Sequence, residues 1–136
     1  MYLDPTDDGV RALLGRGISG PFLMLNLLRL RTWADYTESP QSAPAKPISG
    51  RAAYDLYVEH TLPFLTASGG SVSLLADGGH CFVGPSDERW DMALVIRQAS
   101  IESFFAFAGE PRYLAGLCHR TAAVEDSRML PLVERS

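Results

Sequence analysis

Positive charge is scarce in this sequence. Lys46 is the only lysine, and scattered arginines leave the 136 residues with a formal net charge of −4 and an isoelectric point of about 5.3. A nucleic-acid-binding surface needs basic side chains gathered on one face. The composition therefore predicts no nucleic-acid partner, and the aromatic strand on which RNA-recognition domains stack bases is also missing.

Cysteine and histidine are sparse as well. Cys81 and Cys118 form no CxxC pair, so they indicate neither a zinc site nor a disulfide framework. The three histidines show no HxH or HExxH spacing. The glycine pairs lack the lysine and following helix of a phosphate loop, and no serine stands in a GxSxG motif. We therefore expect no metal and no cofactor.

Long apolar runs are absent too. No stretch approaches the roughly 20 apolar residues of a membrane-spanning helix, so we expect no membrane partner. The first residues of the chain are acidic and lack the charged-then-apolar order of a signal peptide. These features predict a cytoplasmic protein.

The most informative segment that the chain does contain is the apolar run over residues 21–31. It predicts a strand from 22 to 30 that is apolar on both faces, with Asn26 in its middle. Such a strand must be covered on two sides. The helices of one short chain can cover only one side, so the run predicts a homodimer in which a second copy covers the other.

Hydrophobic periodicity, capping residues and turn residues divide the rest of the chain into elements. The predicted helices cover residues 6–14, residues 49–66 and a segment that starts at Ser100, is interrupted at Gly109 and restarts at Pro111. The other predicted strands cover residues 72–76, 89–98 and 128–134, with a turn at 77–79 and extended chain over 80–83. Pro131 would place the last strand at an edge or a bulge.

Residues 35–48 contain three prolines and are expected to form a loop insertion without a regular element. A loop of this length in a compact domain is usually functional or disordered. Two interpretations remain open, a lid or dimer arm on one hand and a mobile insertion on the other.

The order of elements after the first helix is βαββαβ. Helices on one face of an antiparallel sheet make a two-layer α+β fold, and this order predicts the ferredoxin-like plait as a single domain over residues 1–136. Strands one and three are the central pair of that plait. Both are apolar on two faces here, so a second sheet should cover the side that the helices leave open.

The same elements carry a resemblance to a known family. The pattern resembles the domain of unknown function 1330 family, which belongs to the dimeric α/β-barrel superfamily. The resemblance rests on Asn26-Leu27-Leu28-Arg29-Leu30-Arg31, Tyr36, Ser49-Gly50-Arg51-Ala52-Ala53-Tyr54, Gly69-Gly70, Gly84-Pro85, Trp90-Asp91, Tyr113 and His119-Arg120. It implies sheets that face each other across a two-fold axis, and it implies no particular reaction.

The superfamily includes cofactor-free monooxygenases that act on polyketide quinols, muconolactone isomerases and haem-dependent dismutases. This chain departs from the family pattern in two places. Ala67-Ser68 stands before Gly69-Gly70 where many members have a histidine, and residues 97–100 replace a more usual aromatic-proline-serine run. Catalytic roles at those positions therefore do not transfer.

Asn26, Trp90 and Asp91 of the two central strands are the first candidates for a site. Asn26 could orient a carbonyl or phenol of a ligand, because a buried amide must be hydrogen-bonded; alternatively it bonds a neighbour and fixes the strand register. Trp90 could supply a flat apolar wall, and Asp91 a base if burial raised its pKa. The alternative is a core tryptophan and an aspartate paired with an arginine.

The segment after the helix that carries Tyr113 supplies two further candidates. His119 could act as a general base and Arg120 could bind a carboxylate, although an internal ion-pair cluster with Asp126 and Arg128 explains the same residues. The complete set of candidate ligand-binding residues is polar or aromatic and consists of Asn26, Arg29, Tyr36, Tyr54, Tyr57, Trp90, Asp91, Tyr113, His119 and Arg120.

Two functions fit an apolar cleft with converging amide, phenol and guanidinium groups. The first is a cofactor-independent oxygenase or isomerase that acts on an aromatic or polyketide-like compound. The alternative is a non-catalytic ligand-binding or stress-associated protein of the same fold. Both predict a small apolar or aromatic molecule as partner, and a perturbed carboxylate or histidine in the cleft would favour the enzyme.

Overall fold

A computed structural model describes residues 1–136 as one four-stranded sheet with helices against one face. The elements in chain order are α1 (Asp7–Gly15), β1 (Phe22–Leu30), α2 (Gly50–Ala67), β2 (Ser71–His80), β3 (Arg89–Gln98), α3 (Ile101–Ala108), α4 (Pro111–Leu114), α5 (Leu117–Ala123) and β4 (Val124–Leu132).

The strand order is β2-β3-β1-β4, and every neighbouring pair is antiparallel. With its βαββαβ chain order, this arrangement confirms the predicted ferredoxin-like fold. The two central strands are β1 and β3, and Asn26 stands directly opposite Leu94 in their ladder. Pro131 lies in β4, which pairs only with β1, so the expectation of an edge strand at this proline is also confirmed.

The alternation along β1 sorts its side chains onto two faces. The residues that face the helices are all buried, and they are Phe22, Met24, Asn26, Leu28 and Leu30. The residues between them are half-buried on the opposite face, which the helices leave open. That pattern is the period-two pattern of a strand with one face in the core of its own chain.

Side-chain caps fix the beginnings of the three main helices. The hydroxyl of Thr6 accepts from the Gly9 amide, and Ser49 and Ser100 accept from the amides three residues ahead of them. Each bond satisfies one of the amides that a helix N-terminus leaves without a partner. The three predicted helix starts are therefore confirmed.

The turn predicted at residues 77–79 is wrong. β2 continues through this segment to His80, with Asp77 opposite Met92 and Gly79 opposite Trp90. Gly78 is needed for a close approach between strands, because a Cβ atom there would collide with the Trp90 carbonyl oxygen. The chain reverses only after His80. Residue 80 of the predicted extended segment 80–83 therefore ends β2, and residues 81–83 belong to the connection between β2 and β3.

The C-terminal boundaries also differ from the prediction. His119 and Arg120 follow the helix that carries Tyr113, as predicted, but they lie inside a further helix, α5, and β4 begins at Val124 rather than at residue 128. The strand starts early because its first residues join the β1 ladder, with Val124 opposite Leu30. Its charged side chains are neutralised in place, as Arg29 and Arg128 form ion pairs with Asp126.

The prediction that residues 35–48 contain no regular element is wrong. Residues Pro40–Ser42 form a short 3₁₀ helix with proline in its first turn, where its missing amide costs nothing. The segment is anchored at its ends, where the Ala34 amide donates to Ile48 and the Asp35 amide donates to Ala122.

The core lies between the sheet and the helices. Its fully covered residues come from β1, α2, α5 and β4, and they are Leu28, Ala53, Ala123 and Val124. None of the helices combines the length and the apolar character that crossing a bilayer requires.

Candidate functional site

A cavity of about 340 Å³ lies between the sheet and the helices, continuous with the core. Of its 23 lining residues 17 are hydrophobic, so its walls suit an apolar molecule. Met24, Leu94 and Ile96 line it from the central strands, and Leu65 and Phe107 line it from α2 and α3. The alternation of β1 and β3 places these strand residues on the helix-covered face.

Two polar atoms in the cavity wall have no hydrogen-bond partner. Gln98 is 3% exposed and Thr61 is 8% exposed, and the Oε1 atom of the first and the Oγ1 atom of the second are both unpartnered. Each buried polar atom without a partner costs about 1–3 kcal/mol. The cavity therefore contains positions where a hydrogen bond to a bound molecule would recover a cost that the empty fold bears.

Asn26 adds an amide to the same wall. The residue is 8% exposed, and its Nδ2 atom donates to the Met24 carbonyl oxygen at 3.1 Å. This bond to a residue two positions back on the same strand holds the amide plane. The local bond shows that Asn26 is satisfied in part by its own strand, which was one of the two interpretations of this residue.

Three tyrosines form the helix side of the cavity. The hydroxyls of Tyr57 and Tyr113 lie 2.7 Å apart, and the Tyr54 ring packs on Tyr57 with centroids separated by 5.4 Å. Burial raises the pKa of Tyr54 and the pKa of Tyr113 above the ordinary value, and the neighbouring Tyr57 raises both further. The phenols of Tyr54 and Tyr113 therefore stay protonated at neutral pH and can donate hydrogen bonds.

Arg120 and an N-terminal segment, residues 1–5, close one end of the cavity. Arg120 donates from Nη1 to the Leu3 carbonyl oxygen at 2.7 Å and from Nη2 to the Ser127 hydroxyl at 3.4 Å. The same Ser127 also donates from its amide to the Tyr2 carbonyl oxygen. Leu3 and Asp4 line the cavity, so this N-terminal segment is part of its wall.

The structure brings five of the sequence candidates together in this cavity. They share an inward-facing polar or aromatic side chain, and they are Asn26, Tyr54, Tyr57, Tyr113 and Arg120.

The other five candidates lie outside the cavity. Arg29 approaches Glu125 at 3.0 Å, an ion-pair distance without hydrogen-bond geometry. Trp90 lies under the Arg128 guanidinium, which is 5.1 Å from its ring centroid. Asp91 accepts from the Leu30 amide at 2.7 Å and from Arg89, so its carboxylate is occupied at the end of the β1–β3 ladder.

Tyr36 and His119 are the remaining pair. The Tyr36 hydroxyl lies 2.7 Å from Nδ1 of His119, and their rings meet edge to face. Burial, and to a smaller extent the charge of His60, lowers the pKa of His119 below its ordinary value of 6.5. This pair ties the loop after β1 to α5, and neither residue lines the cavity.

The lowered pKa of His119 predicts an acid-sensitive fold. Its pKa is lower in the folded protein than in the unfolded chain, so the unfolded chain takes up the proton first and stability falls as the pH drops below about 6.5. We expect chemical denaturation between pH 7.5 and pH 5.5 to show this loss, and His119→Gln to flatten it. The matched control is His80→Gln, at an exposed position on β2. If the free energy of unfolding of His119→Gln fell with pH as steeply as that of the wild type, His119 would not be the group responsible.

Sequence reasoning missed Gln98, Thr61 and the N-terminal segment. The signal for Gln98 was present, because it continues the alternation of Met92, Leu94 and Ile96 on the inner face of β3. The contact between Arg120 and Leu3 joins residues 117 positions apart, and no periodicity reports such a contact.

The histidine, cysteine, aspartate and glutamate side chains form no group of three or more placed to hold a metal ion.

Comparison with solved structures finds a similar protein over nearly the whole chain. The crystal structure of the RPA0582 protein of Rhodopseudomonas palustris, a protein of unknown function, is 32% identical and has a TM-score of 0.82, with 99% of this chain and 98% of that chain covered. The crystal structure of methylated RPA0582 protein gives 32% identity and a TM-score of 0.84, with 99% and 96% covered. No family model matches the sequence, so the resemblance to the domain of unknown function 1330 family is not confirmed; no curated protein matches it either.

Proposed function

We propose, from the premise that this chain belongs to the family of the RPA0582 protein of Rhodopseudomonas palustris, that the protein binds a small apolar or aromatic molecule in the cavity between its sheet and its helices. The observation that carries the proposal is an apolar cavity of about 340 Å³ with two unpartnered buried polar atoms, on Gln98 and Thr61. Ligand sites usually measure about 300–1,000 Å³ and combine apolar walls with a few placed polar groups.

The titratable groups favour ligand binding over catalysis as the function of the cavity. The perturbed groups of the cavity are Tyr54 and Tyr113, whose raised pKa values make them donors rather than bases at neutral pH. The histidine with a lowered pKa, His119, is bonded to Tyr36 outside the cavity. A cofactor-independent oxygenase or isomerase is the second candidate, and the observation in its favour is the Tyr57–Tyr113 hydroxyl pair, which could stabilise an oxyanion.

A second copy of the chain is the proposed cover for the open face of the sheet. One level of this face carries aliphatic side chains on all four strands, in the order Leu74, Val95, Leu25 and Leu130. Leu74 and Leu130 are about half exposed, at 49% and 53%. A two-fold interface uses the same patch on both partners, and an uncharged aliphatic row is complementary to itself. Because a homodimer would bury this aliphatic row on both protomers, the row supports a homodimer.

A cavity-filling variant tests the site. Ala108 lines the cavity from α3, whereas Ala106 on the same helix is exposed and does not. We expect the uncharged fluorescent probe N-phenyl-1-naphthylamine to bind the wild-type protein and Ala106→Trp alike. Ala108→Trp should lose most of this binding, because the indole ring occupies the space. Equal binding by both variants, or no binding by the wild type, would overturn the proposal.

Asn26→Leu tests the amide in the wall. The two side chains are similar in volume, so the packing should survive while the hydrogen-bonding atoms are lost. We expect the variant to fold and to bind a ligand that hydrogen-bonds to the amide more weakly by about 1–3 kcal/mol, the cost of a stranded polar group. Calorimetric titration measures the change in the binding free energy. Unchanged affinity in a normally folded variant would remove Asn26 from the site.

A further inference from the structure

Arg120 is a buried cation without a carboxylate partner. Its residue is 8% exposed and lines the cavity. None of the ion pairs in the structure includes it, so no carboxylate oxygen lies within 4.0 Å of its guanidinium nitrogens. Buried arginines are ordinarily paired, because removing an uncompensated charge from water is costly. This position is therefore an unneutralised positive charge at the wall of an apolar cavity.

The groups around the guanidinium are neutral. Its two bonds go to the Leu3 carbonyl oxygen and the Ser127 hydroxyl, and the phenols of Tyr54 and Tyr113 remain protonated. A guanidinium carries five donor hydrogens and stays charged at every relevant pH. Donors therefore remain for a further acceptor, and the cavity's one carboxylate, on the exposed Asp4, lies beyond ion-pair distance.

We infer that the ligand of this cavity is a carboxylic acid with an apolar body, whose carboxylate is bound by Arg120. The inference rests on the proposed function and names the chemical class of its ligand. Charge and geometry agree, since an arginine fork binds a carboxylate through two parallel hydrogen bonds. The apolar lining of 17 residues then receives the body of the acid.

The far end of the cavity defines a second feature of the ligand. Ser127, which bonds Arg120, stands opposite Leu28 in the sheet, and Gln98 stands opposite Phe22. Six residues of extended strand separate those two levels, about 20 Å between Cα atoms before the side chains reach inwards. A hydroxyl or amide N–H on the distal part of the acid would satisfy the unpartnered Gln98 Oε1 atom.

Octanoate and 1-octanol form a matched pair of probes, because they share the alkyl chain and differ in charge. We expect calorimetric titration of the wild-type protein at pH 7.5 to show octanoate binding at least about tenfold more tightly than 1-octanol. Arg120→Gln should bring the two affinities to within about twofold of each other. The control is Arg112→Gln on α4, which removes an exposed arginine outside the cavity and should keep the preference.

A second measurement needs no variant, in case Arg120→Gln fails to fold. The carboxyl carbon of octanoate labelled with ¹³C reports its own titration by NMR when bound to the wild-type protein. A carboxylate beside a guanidinium has a lowered pKa, whereas a carboxylate desolvated in an apolar cavity without a cation has a raised pKa. We expect the bound octanoate to titrate below free octanoate.

The outcomes separate this inference from the proposed function. Equal binding of the two probes by the wild type, a preference that persists in a folded Arg120→Gln, or a raised pKa of bound octanoate would overturn the carboxylate assignment. In each of these cases 1-octanol binding would still support an apolar site. Failure of both probes to bind the wild-type protein would overturn both proposals.

Discussion

Leu94→Asp is expected to leave the protein without a cooperative thermal transition. Leu94 is 4% exposed, lies at the centre of β3 opposite Asn26, and belongs to the main core cluster. An aspartate there would place a carboxylate among the apolar side chains of the core. Such a charge costs several kcal/mol, which is a large share of a total stability of about 5–15 kcal/mol.

Circular dichroism melts of this variant and of a matched control measure the effect. Ser73→Asp introduces the same charge on the exposed strand β2 and should melt close to the wild type. A cooperative Leu94→Asp melt within a few degrees of the wild type would mean that this face of β3 is not in the core.

Leu25→Asp, on the other face of the same sheet, is expected to separate the proposed homodimer and leave the protomer folded. Leu25 is half-buried and stands between Val95 and Leu130 in the aliphatic row of the open face. A two-fold interface would bring two copies of the new carboxylate into one apolar contact. We expect the dissociation constant of the dimer to rise at least about 100-fold, or about 2.8 kcal/mol.

Sedimentation velocity at micromolar concentration, together with a thermal melt, tests this expectation. The wild type should sediment as a dimer, and Leu25→Asp as a folded monomer. A wild-type protein that is monomeric, or a Leu25→Asp variant that remains a dimer with wild-type affinity, would remove the open face as the interface.

The strands that matched the prediction are those whose sequence pattern has a single physical cause, the burial of alternate side chains in the core. β1 and β3 begin and end where predicted, because a run of alternating core-facing side chains has no competing interpretation. The prediction of a turn at residues 77–79 was wrong because glycine occurs both in turns and where two strands approach each other closely. Asp77-Gly78-Gly79 has the composition of a turn, yet Gly78 is required for strand contact with Trp90.

The candidate site residues likewise divide into those that local periodicity placed correctly and those that it did not. Asn26 and Tyr54 fall in the cavity because their elements already direct them inwards. Trp90, Asp91 and His119 do not, because specific partners determine where they lie: Arg128, the Leu30 amide and the Tyr36 hydroxyl. A partner chosen across the fold is not visible in local periodicity. For the same reason the sequence did not show that residues 3–5 form part of the cavity wall.

The position of a bound molecule relative to the sheet is the most direct test of binding in the cavity. Methyl-labelled protein titrated with N-phenyl-1-naphthylamine and followed by NMR reports both faces of β1 and β3 in one experiment. We expect shifts at the cavity methyls of Met24, Leu94 and Ile96, with Leu25 and Val95 on the open face unaffected. Shifts confined to Leu25 and Val95, or no saturable shift at any methyl, would contradict binding in the cavity.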